Sequence, residues 1–349
     1  MKRYIFNSII IIAAFFASCN KPAQVSTIDK DLQQKAEKLL RDEVAKSKVD
    51  SAVLIIMSVK TGEVKTILKI TKSDSLTYLA KYAEASINTP QEPGSIFIPF
   101  SIMAAMEKSN VSLNDTVDTY NGMYNVSGRT FCDQNANHGG YGKISLRQSV
   151  LLTSNIGTIV TVGKAFNYSD KFIAQLQKMS IIQSGYNLQD NKKITPDLIA
   201  SVSIGYNLKM TPLQILTCYN AIANNGKMMK AVFKTGQDSV INPSICSDKT
   251  IQVIQQALCE KADNMLKDNN QVNKNKIAGT RGTSQYILHP KNFDFKYCCS
   301  YFPSNDPEYT CLVIFYRERN YEENLNVRNS ILRVVNKLAG ARSEKNLKL

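Results

Sequence analysis

The sequence has 349 residues, of which 43% are hydrophobic and 21% are charged. A chain of this size and composition can bury a core in one large domain or two small ones, which excludes a disordered protein, a repeat array and a collagen-like fibre. Lys and Arg total 43 against 29 Asp and Glu, and the net charge of +14 suits an anionic partner such as nucleic acid, a lipid headgroup surface or an acidic cell-wall polymer.

The N-terminus has the pattern of an export signal. Lys2 and Arg3 precede an apolar run at 9–16, which is shorter than the roughly 20 residues of a membrane span. Small residues then lead directly into Cys19, as in a bacterial lipobox. We therefore predict a lipoprotein signal peptide over 1–18, lipidation at Cys19 and a polar tether over 19–26. An ordinary signal peptide or an uncleaved anchor is the alternative. A lipid-anchored exported protein is not expected to bind nucleic acid.

The next elements are one helix and two strands. Apolar residues recur with helical spacing over 29–48, and β-branched apolar runs at 52–59 and 64–70 predict a pair of strands. Residues 72–89 are polar and irregular. After the Pro93-Gly94 turn, Ser95 is a favourable N-cap for a helix that runs to about residue 106.

The rest of the chain predicts a helical middle followed by three strands. Helices are expected at 145–152, 157–165, 170–179, 211–224 and 249–259, with loops at 110–141 and 263–275. Strands at 276–284, 293–302 and 309–315 precede a closing helix at 325–338. This order predicts an α/β fold of the α+β type, in which helices flank a five-stranded antiparallel sheet and an all-helical subdomain is inserted at about 95–260.

The cysteines and histidines predict neither a disulfide framework nor a metal site. Seven cysteines follow Cys19, an odd number that cannot pair off within one chain, and no C-x-x-C spacing occurs. His138 and His289 have no metal-ligand neighbours at useful spacing. No cofactor is expected.

Three segments resemble, in the right order, the motifs of penicillin-binding protein transpeptidase domains in the serine β-lactamase and D,D-transpeptidase-like superfamily. Residues 92–100 (EPGSIFIPF) are similar to E-P-G-S-x-x-K-P-F, residues 153–157 (TSNIG) to S-S-N-x-G, and residues 277–284 (IAGTRGTS) to A-G-K-T-G-T-A. Shorter similarities extend the resemblance over 27–340 and leave 341–349 as a tail. It implies the fold of that family, and His138 corresponds to a structural loop there.

The first motif contains the residue that corresponds to the family's nucleophilic serine. Ser95 takes the position of the nucleophile that attacks the D-alanyl-D-alanine end of a peptidoglycan stem peptide, or a β-lactam. The family lysine that removes its proton is replaced by Ile98, which cannot accept one. Loss of a general base typically slows a reaction about 10²–10⁴-fold. The alternative is that Ser95 serves only as a helix N-cap.

The second motif keeps part of its chemistry. Thr153 retains a hydroxyl at the position of the relay serine, and Asn155 retains the amide that holds substrate in the family. A simple helix-to-helix turn is the alternative, because Thr, Ser and Asn all favour turns.

The third motif is the most altered. Thr280 stands at the lysine position and Arg281 follows it, while Gly282 and Thr283 are kept. By position in the motif, the resemblance implies that Thr280, Arg281, Gly282 and Thr283 bind substrate. The resemblance implies that the N–H groups of Ser95 and Thr283 form an oxyanion hole. Arg281 is shifted by one residue, and neighbouring strand side chains point to opposite faces. A solvated surface arginine is therefore the favoured interpretation of Arg281.

Three functions remain open. The first is a catalytically impaired transpeptidase homologue on the periplasmic side of a bacterial membrane, which binds stem peptide or β-lactam or regulates cell-wall synthesis proteins. The second is a slow D,D-transpeptidase, or a penicillin-acylated enzyme, that uses Ser95. The third is a lipoprotein whose basic surface docks on anionic envelope polymer while the cleft is idle.

Overall fold

The computed structural model describes residues 25–47, 49–72, 78–81, 84–183, 193–274, 276–288, 291–318 and 325–346. The predicted signal peptide, Cys19 and most of the predicted tether lie outside the described residues, as does His289. No helix in the described part of the chain is long and apolar enough to cross a membrane.

Strands and helices alternate in the order that the sequence pattern predicts, with several additions. The strands are β1 (Ser51–Ser58), β2 (Val64–Lys72), β3 (Tyr78–Lys81), β4 (Thr116–Asp118), β5 (Met123–Val126), β6 (Arg129–Cys132), β7 (Lys143–Ser145), β8 (Met228–Met229), β9 (Val240–Asn242), β10 (Ala278–Leu288), β11 (Lys291–Phe302) and β12 (Tyr309–Glu318). The α-helices are α1 (Lys30–Ser47), α2 (Glu84–Ile87), α3 (Ile98–Lys108), α4 (Leu146–Leu152), α5 (Asn155–Phe166), α6 (Lys171–Lys178), α7 (Pro196–Ser203), α8 (Pro212–Ala223), α9 (Asp248–Lys267) and α10 (Leu325–Asn346). Two 3₁₀ helices cover Gly94–Phe97 and Ala136–His138.

One antiparallel sheet divides the protein into two packed layers. Its strand order is β10-β11-β12-β1-β2-β3, so the five predicted strands are confirmed and a short edge strand, β3, is added from the segment expected to be irregular. Successive residues of β1 face opposite sides, and both sides are apolar. Val53 and Ile55 pack into one hydrophobic cluster, whereas Leu54 and Ile56 pack into another.

The terminal helices α1 and α10 cover one face of the sheet. Glu43 of α1 is fully buried there and forms ion pairs with Arg333 at 2.8 Å and Lys337 at 3.2 Å, both from α10. Burial opposes ionisation of Glu43, but these two cations lower its pKa overall. The closing helix α10 continues to Asn346, beyond the predicted end at residue 338.

The helical insertion covers the other face and is built around α3. The first eight residues of α3 are all buried, as expected for a helix that is apolar on every side. This part of the chain also contains three two-stranded ribbons, β4-β7, β5-β6 and β8-β9, two of which involve the segment expected to be a loop at 110–141. Helix α9 runs past its predicted end at 259 because Ala262, Met265 and Leu266 continue its buried side.

Candidate functional site

Ser95 lies in the 3₁₀ helix directly before α3. The N-cap of that turn is Pro93, without a side-chain hydrogen bond, so Ser95 is not the N-cap that its local sequence favours. Gly94 has a φ of +59°, and a Cβ at this position would collide with the carbonyl oxygen of Thr283. The turn is therefore packed tightly against β10, and the half-buried Ser95 lines a cleft.

The lysine position of the first motif is closed off from this cleft. Ile98 is only 1% exposed and belongs to the large hydrophobic cluster. It is the first residue of α3, one helical turn after Ser95. No proton-transfer group stands at this position.

The second motif forms a turn between α4 and α5. Thr153 ends α4 with φ 57° and ψ 46°, a left-handed conformation that is uncommon for a β-branched residue and costs roughly 1–3 kcal/mol. Ser154 caps α5, since its hydroxyl accepts from the N–H of Gly157 at 2.9 Å. The surrounding structure therefore holds Thr153 in a backbone conformation that a threonine rarely adopts.

Asp133, which the sequence analysis did not select, secures this turn. Its carboxylate accepts from the Ser154 hydroxyl at 2.9 Å and from the N–H of Ile156 at 3.0 Å. Burial raises the pKa of Asp133, although these hydrogen bonds act in the opposite direction. The buried Asp and capping Ser fix Asn155 at the start of α5.

Asn155 presents an unused acceptor in the cleft wall. Its Nδ2 donates to the carbonyl oxygen of Cys132 at 2.9 Å. Its Oδ1 is buried, and no described residue donates to it. Buried polar atoms are normally paired, so Asn155 keeps an unused hydrogen-bond acceptor at the edge of the cleft.

The third motif meets the Ser95 turn at very close range. A Cβ at Gly282 would lie 2.7 Å from the backbone nitrogen of Ile96 and 3.3 Å from the carbonyl carbon of Ser95. Only glycine allows this approach, which brings Thr283 of β10 next to Ser95. This is the neighbourhood in which two backbone N–H groups can share one carbonyl oxygen.

The two altered positions of this motif differ in their surroundings. Thr280 is fully buried, its hydroxyl donates to the carbonyl oxygen of Arg281 at 3.3 Å, and it is not part of the cleft wall. Arg281 is half-buried and lines the cleft. Arg281 therefore belongs to the cleft wall, as the substrate-binding prediction requires, and the alternative of a solvated arginine stays a prediction.

The cleft has a volume of about 660 Å³ and gathers most of the predicted site. Its walls include the predicted residues Ser95, Thr153, Asn155, Arg281, Gly282 and Thr283. They also include the unpredicted residues Cys132, Asp133, Tyr206, Lys261, Lys296 and Tyr297. His138 is exposed and is not among the residues that form the walls. The three motif segments and several parts of the chain outside them thus meet in one cleft with Ser95.

Two lysines in this cleft were missed by motif comparison. Lys296 of β11 lies opposite Thr283 in the sheet, and its Nζ donates to the Thr283 hydroxyl at 3.3 Å. Lys261 of α9 is 4% exposed, and its Nζ donates to the Thr153 hydroxyl at 2.5 Å and to the carbonyl oxygen of Val150 at 2.6 Å. Burial, together with repulsion from the charge of Arg281, lowers the pKa of Lys261 to about 7.

The helical spacing of α9 gave a signal for Lys261. Ile254, Leu258 and Met265 mark the buried side of this helix, and Lys261 falls on the same side. Because apolar residues continue on both sides of Lys261 along this face of the helix, the pattern predicts that Lys261 is buried with them.

Comparison with known proteins gives a consistent picture. Residues 52–337 match the family model of the penicillin-binding protein transpeptidase domain. The chain is 22% identical over 344 residues to a peptidoglycan D,D-transpeptidase FtsI homolog of Mesostigma viride, covering 82% of this chain and 56% of that protein. It is 25% identical over 211 residues to peptidoglycan D,D-transpeptidase FtsI of Escherichia coli strain K12, covering 57% of this chain and 35% of that protein. The match thus spans about half or less of these relatives.

Solved structures agree on the fold. The transpeptidase domain of penicillin-binding protein 3 from Burkholderia pseudomallei superposes with a TM-score of 0.72 at 19% identity, covering 91% of this chain and 96% of that one. A protein described as a peptidoglycan glycosyltransferase from Burkholderia ambifaria superposes with a TM-score of 0.71 at 20% identity, covering 91% and 98%.

Proposed function

Because this chain belongs to the family of penicillin-binding protein transpeptidase domains, we propose that it is a catalytically impaired homologue in the bacterial cell envelope. In this role it binds the D-alanyl-D-alanine end of peptidoglycan stem peptides, or a β-lactam, and through that binding regulates cell-wall synthesis. One contrast carries the proposal. Ser95, Asn155 and Thr283 line one cleft, whereas the two former lysine positions, Ile98 and Thr280, are buried away from it.

The cleft offers complementary groups for each part of such a ligand. The unpaired Oδ1 of Asn155 suits a peptide N–H. Without such a donor, this buried acceptor stays unpaired. Arg281 and Lys296 give the wall positive charge beside Thr283, which suits a terminal carboxylate. Backbone N–H groups survive any change of side chain, so Ser95 and Thr283 remain available for a carbonyl oxygen.

The test is to measure, by isothermal titration calorimetry, the binding of a stem pentapeptide that ends in D-Ala-D-Ala. Asn155→Ala is expected to weaken binding roughly 3- to 10-fold, the worth of one net hydrogen bond. Asn114→Ala, at an exposed asparagine outside the cleft, should leave the affinity unchanged. Equal heats for the peptide and for its L-Ala-L-Ala counterpart would contradict recognition in this cleft.

We also propose that the protein is exported and anchored by lipid at Cys19 on the periplasmic side. The apolar run and the small residues before Cys19 support this, and the net charge of +14 suits contact with anionic envelope polymer. Cys19→Ala is expected to move the protein from the membrane fraction to the soluble fraction after cell lysis. Cys132→Ala, at an exposed cysteine of the domain, is the matched control. Retention of the Cys19→Ala protein in membranes would rule out this anchor.

A second candidate is a slow D,D-transpeptidase, or a penicillin-acylated protein, that uses Ser95 as nucleophile. The observation in its favour is the buried amine of Lys261 at the Thr153 hydroxyl. It differs from the first candidate only in whether the bound carbonyl is attacked.

A further inference from the structure

Lys261 is a buried cation-forming group that none of the three family motifs contains. Two oxygen atoms surround its Nζ, the hydroxyl of Thr153 and the carbonyl of Val150. No carboxylate among the described residues forms an ion pair with it, and its sequence neighbour Glu260 pairs with Arg147 instead. A structural lysine that is this deeply buried normally has a carboxylate partner.

We propose that Lys261 has taken over the proton-accepting role of the missing lysines and acts on Ser95 through the hydroxyl of Thr153. The proposal deepens the function proposed above and rests on it, since acylation requires a ligand bound in this cleft. Lys261 is a positioning residue in this scheme, because it acts through Thr153 and does not itself contact the ligand.

The contact between Lys261 and Thr153, in the cleft that Ser95 also lines, supports the relay. Thr153, Lys261 and Ser95 line the same cleft, although Lys261 lies 108 residues after Thr153. Thr153 stands at the relay-serine position of the family and is held there in an unfavourable left-handed conformation. Strain of this kind persists only where the surrounding structure enforces it, and Lys261 is one of the groups that fix the Thr153 side chain.

The environment also keeps a large share of the amine neutral near pH 7. Burial favours the uncharged form of Lys261, and Arg281 from β10 repels the charged form. Asp133, Asp268 and Lys296 line the same cleft from neighbouring elements. A neutral amine has the lone pair that a proton acceptor requires, and Ile98 and Thr280 have none.

With a β-lactam, the acylation of Ser95 begins with two coupled proton transfers. The Ser95 hydroxyl gives its proton to the Thr153 oxygen as the Thr153 proton passes to the Lys261 nitrogen. The Ser95 oxygen bonds to the lactam carbonyl carbon, and the ring C–N bond then breaks. The ring nitrogen takes up one proton, returned from the Lys261 ammonium through the same hydroxyl. For a stem peptide, the leaving group is the terminal D-alanine amine.

The test follows acylation of the purified protein by a β-lactam with intact-mass spectrometry between about pH 5 and about pH 10. The wild type is expected to form a slow adduct that Ser95→Ala abolishes, with a rate that rises through about pH 7. Lys261→Met should slow the reaction about 10²–10⁴-fold and remove the rise with pH. Lys261→Arg should be slow at every pH, because a guanidinium stays charged.

Controls separate a proton relay from a structural role. Lys267→Met changes an exposed lysine on the same helix and should match the wild type. Lys261→Met should keep its affinity for the stem peptide and be at least as stable as the wild type, so that slow acylation cannot be ascribed to unfolding. If the wild type binds the peptide but forms no adduct at any pH, or if Lys261→Met reacts as fast as wild type, the relay is refuted while the proposed binding function stands. Absence of peptide binding would instead refute the proposed function.

Discussion

Replacing Lys261 by methionine is expected to stabilise the folded protein most below about pH 7, and this gain is expected to shrink as the pH rises toward 10. Burial, aided by the charge of Arg281, lowers the pKa of Lys261 to about 7 in the folded protein. An unfolded lysine keeps a pKa of about 10.4. Between these values the unfolded chain holds a proton that the folded chain has released, so rising pH favours the folded wild type.

The expected magnitude is large. A gap of about three pKa units is worth roughly 4 kcal/mol, because each unit corresponds to about 1.4 kcal/mol. Methionine has a similar length and no charge, so the Lys261→Met variant has no free-energy cost from a buried charge at any pH. The relevant quantity is therefore the difference in unfolding free energy between Lys261→Met and wild type, measured by urea denaturation at about pH 6, 8 and 10.

In this difference, the contributions of the other groups that titrate at alkaline pH cancel. Burial also raises the pKa of Cys298 to about 12 and of Tyr316 to about 12, which lowers stability at high pH in both proteins alike. Lys267→Met, on the exposed side of α9, should follow the wild-type curve. Parallel pH curves for Lys261→Met and wild type would show that the amine is solvated, and the relay would then have lost its physical basis.

Much of the fold follows from local pattern. Strand β1 is apolar at every position from Ala52 to Met57, which is the expected pattern of a strand with a packed layer on each face, and it lies at the centre of the sheet. The motif order placed Ser95, Thr153 and Thr283 in one site, and the cleft contains all three. Strand β3 was not predicted because its surroundings are polar, and only pairing with β2 makes it a strand.

The site was harder to predict where tertiary contacts override local pattern. Lys261 follows Cys259-Glu260 in a stretch that local composition assigns to the end of a helix, and nothing within α9 points to Thr153. Arg281 was expected on the surface from strand alternation alone. That argument correctly separated it from Thr280, but it could not say which face of an edge strand borders the cleft.

Whether a lysine at position 98 could still act on Ser95 can be tested directly. Ile98→Lys is expected to destabilise the protein by about 4 kcal/mol and to leave β-lactam acylation no faster than in wild type. Ile98 is 1% exposed among core side chains, so a lysine there would place an ammonium group in apolar surroundings. It would also stand at the first residue of α3, where the helix dipole disfavours positive charge.

Ile98→Met, which matches the length without the charge, is expected to cost less than about 1.5 kcal/mol. Urea denaturation measures both variants, and the Ile98→Lys penalty should fall at alkaline pH as the new amine loses its proton. An Ile98→Lys protein that is as stable as wild type and acylates faster would show that the side chain reaches the cleft. The expected result means that the hydrophobic core has closed over this position, so that a lysine restored there cannot serve Ser95 as a base.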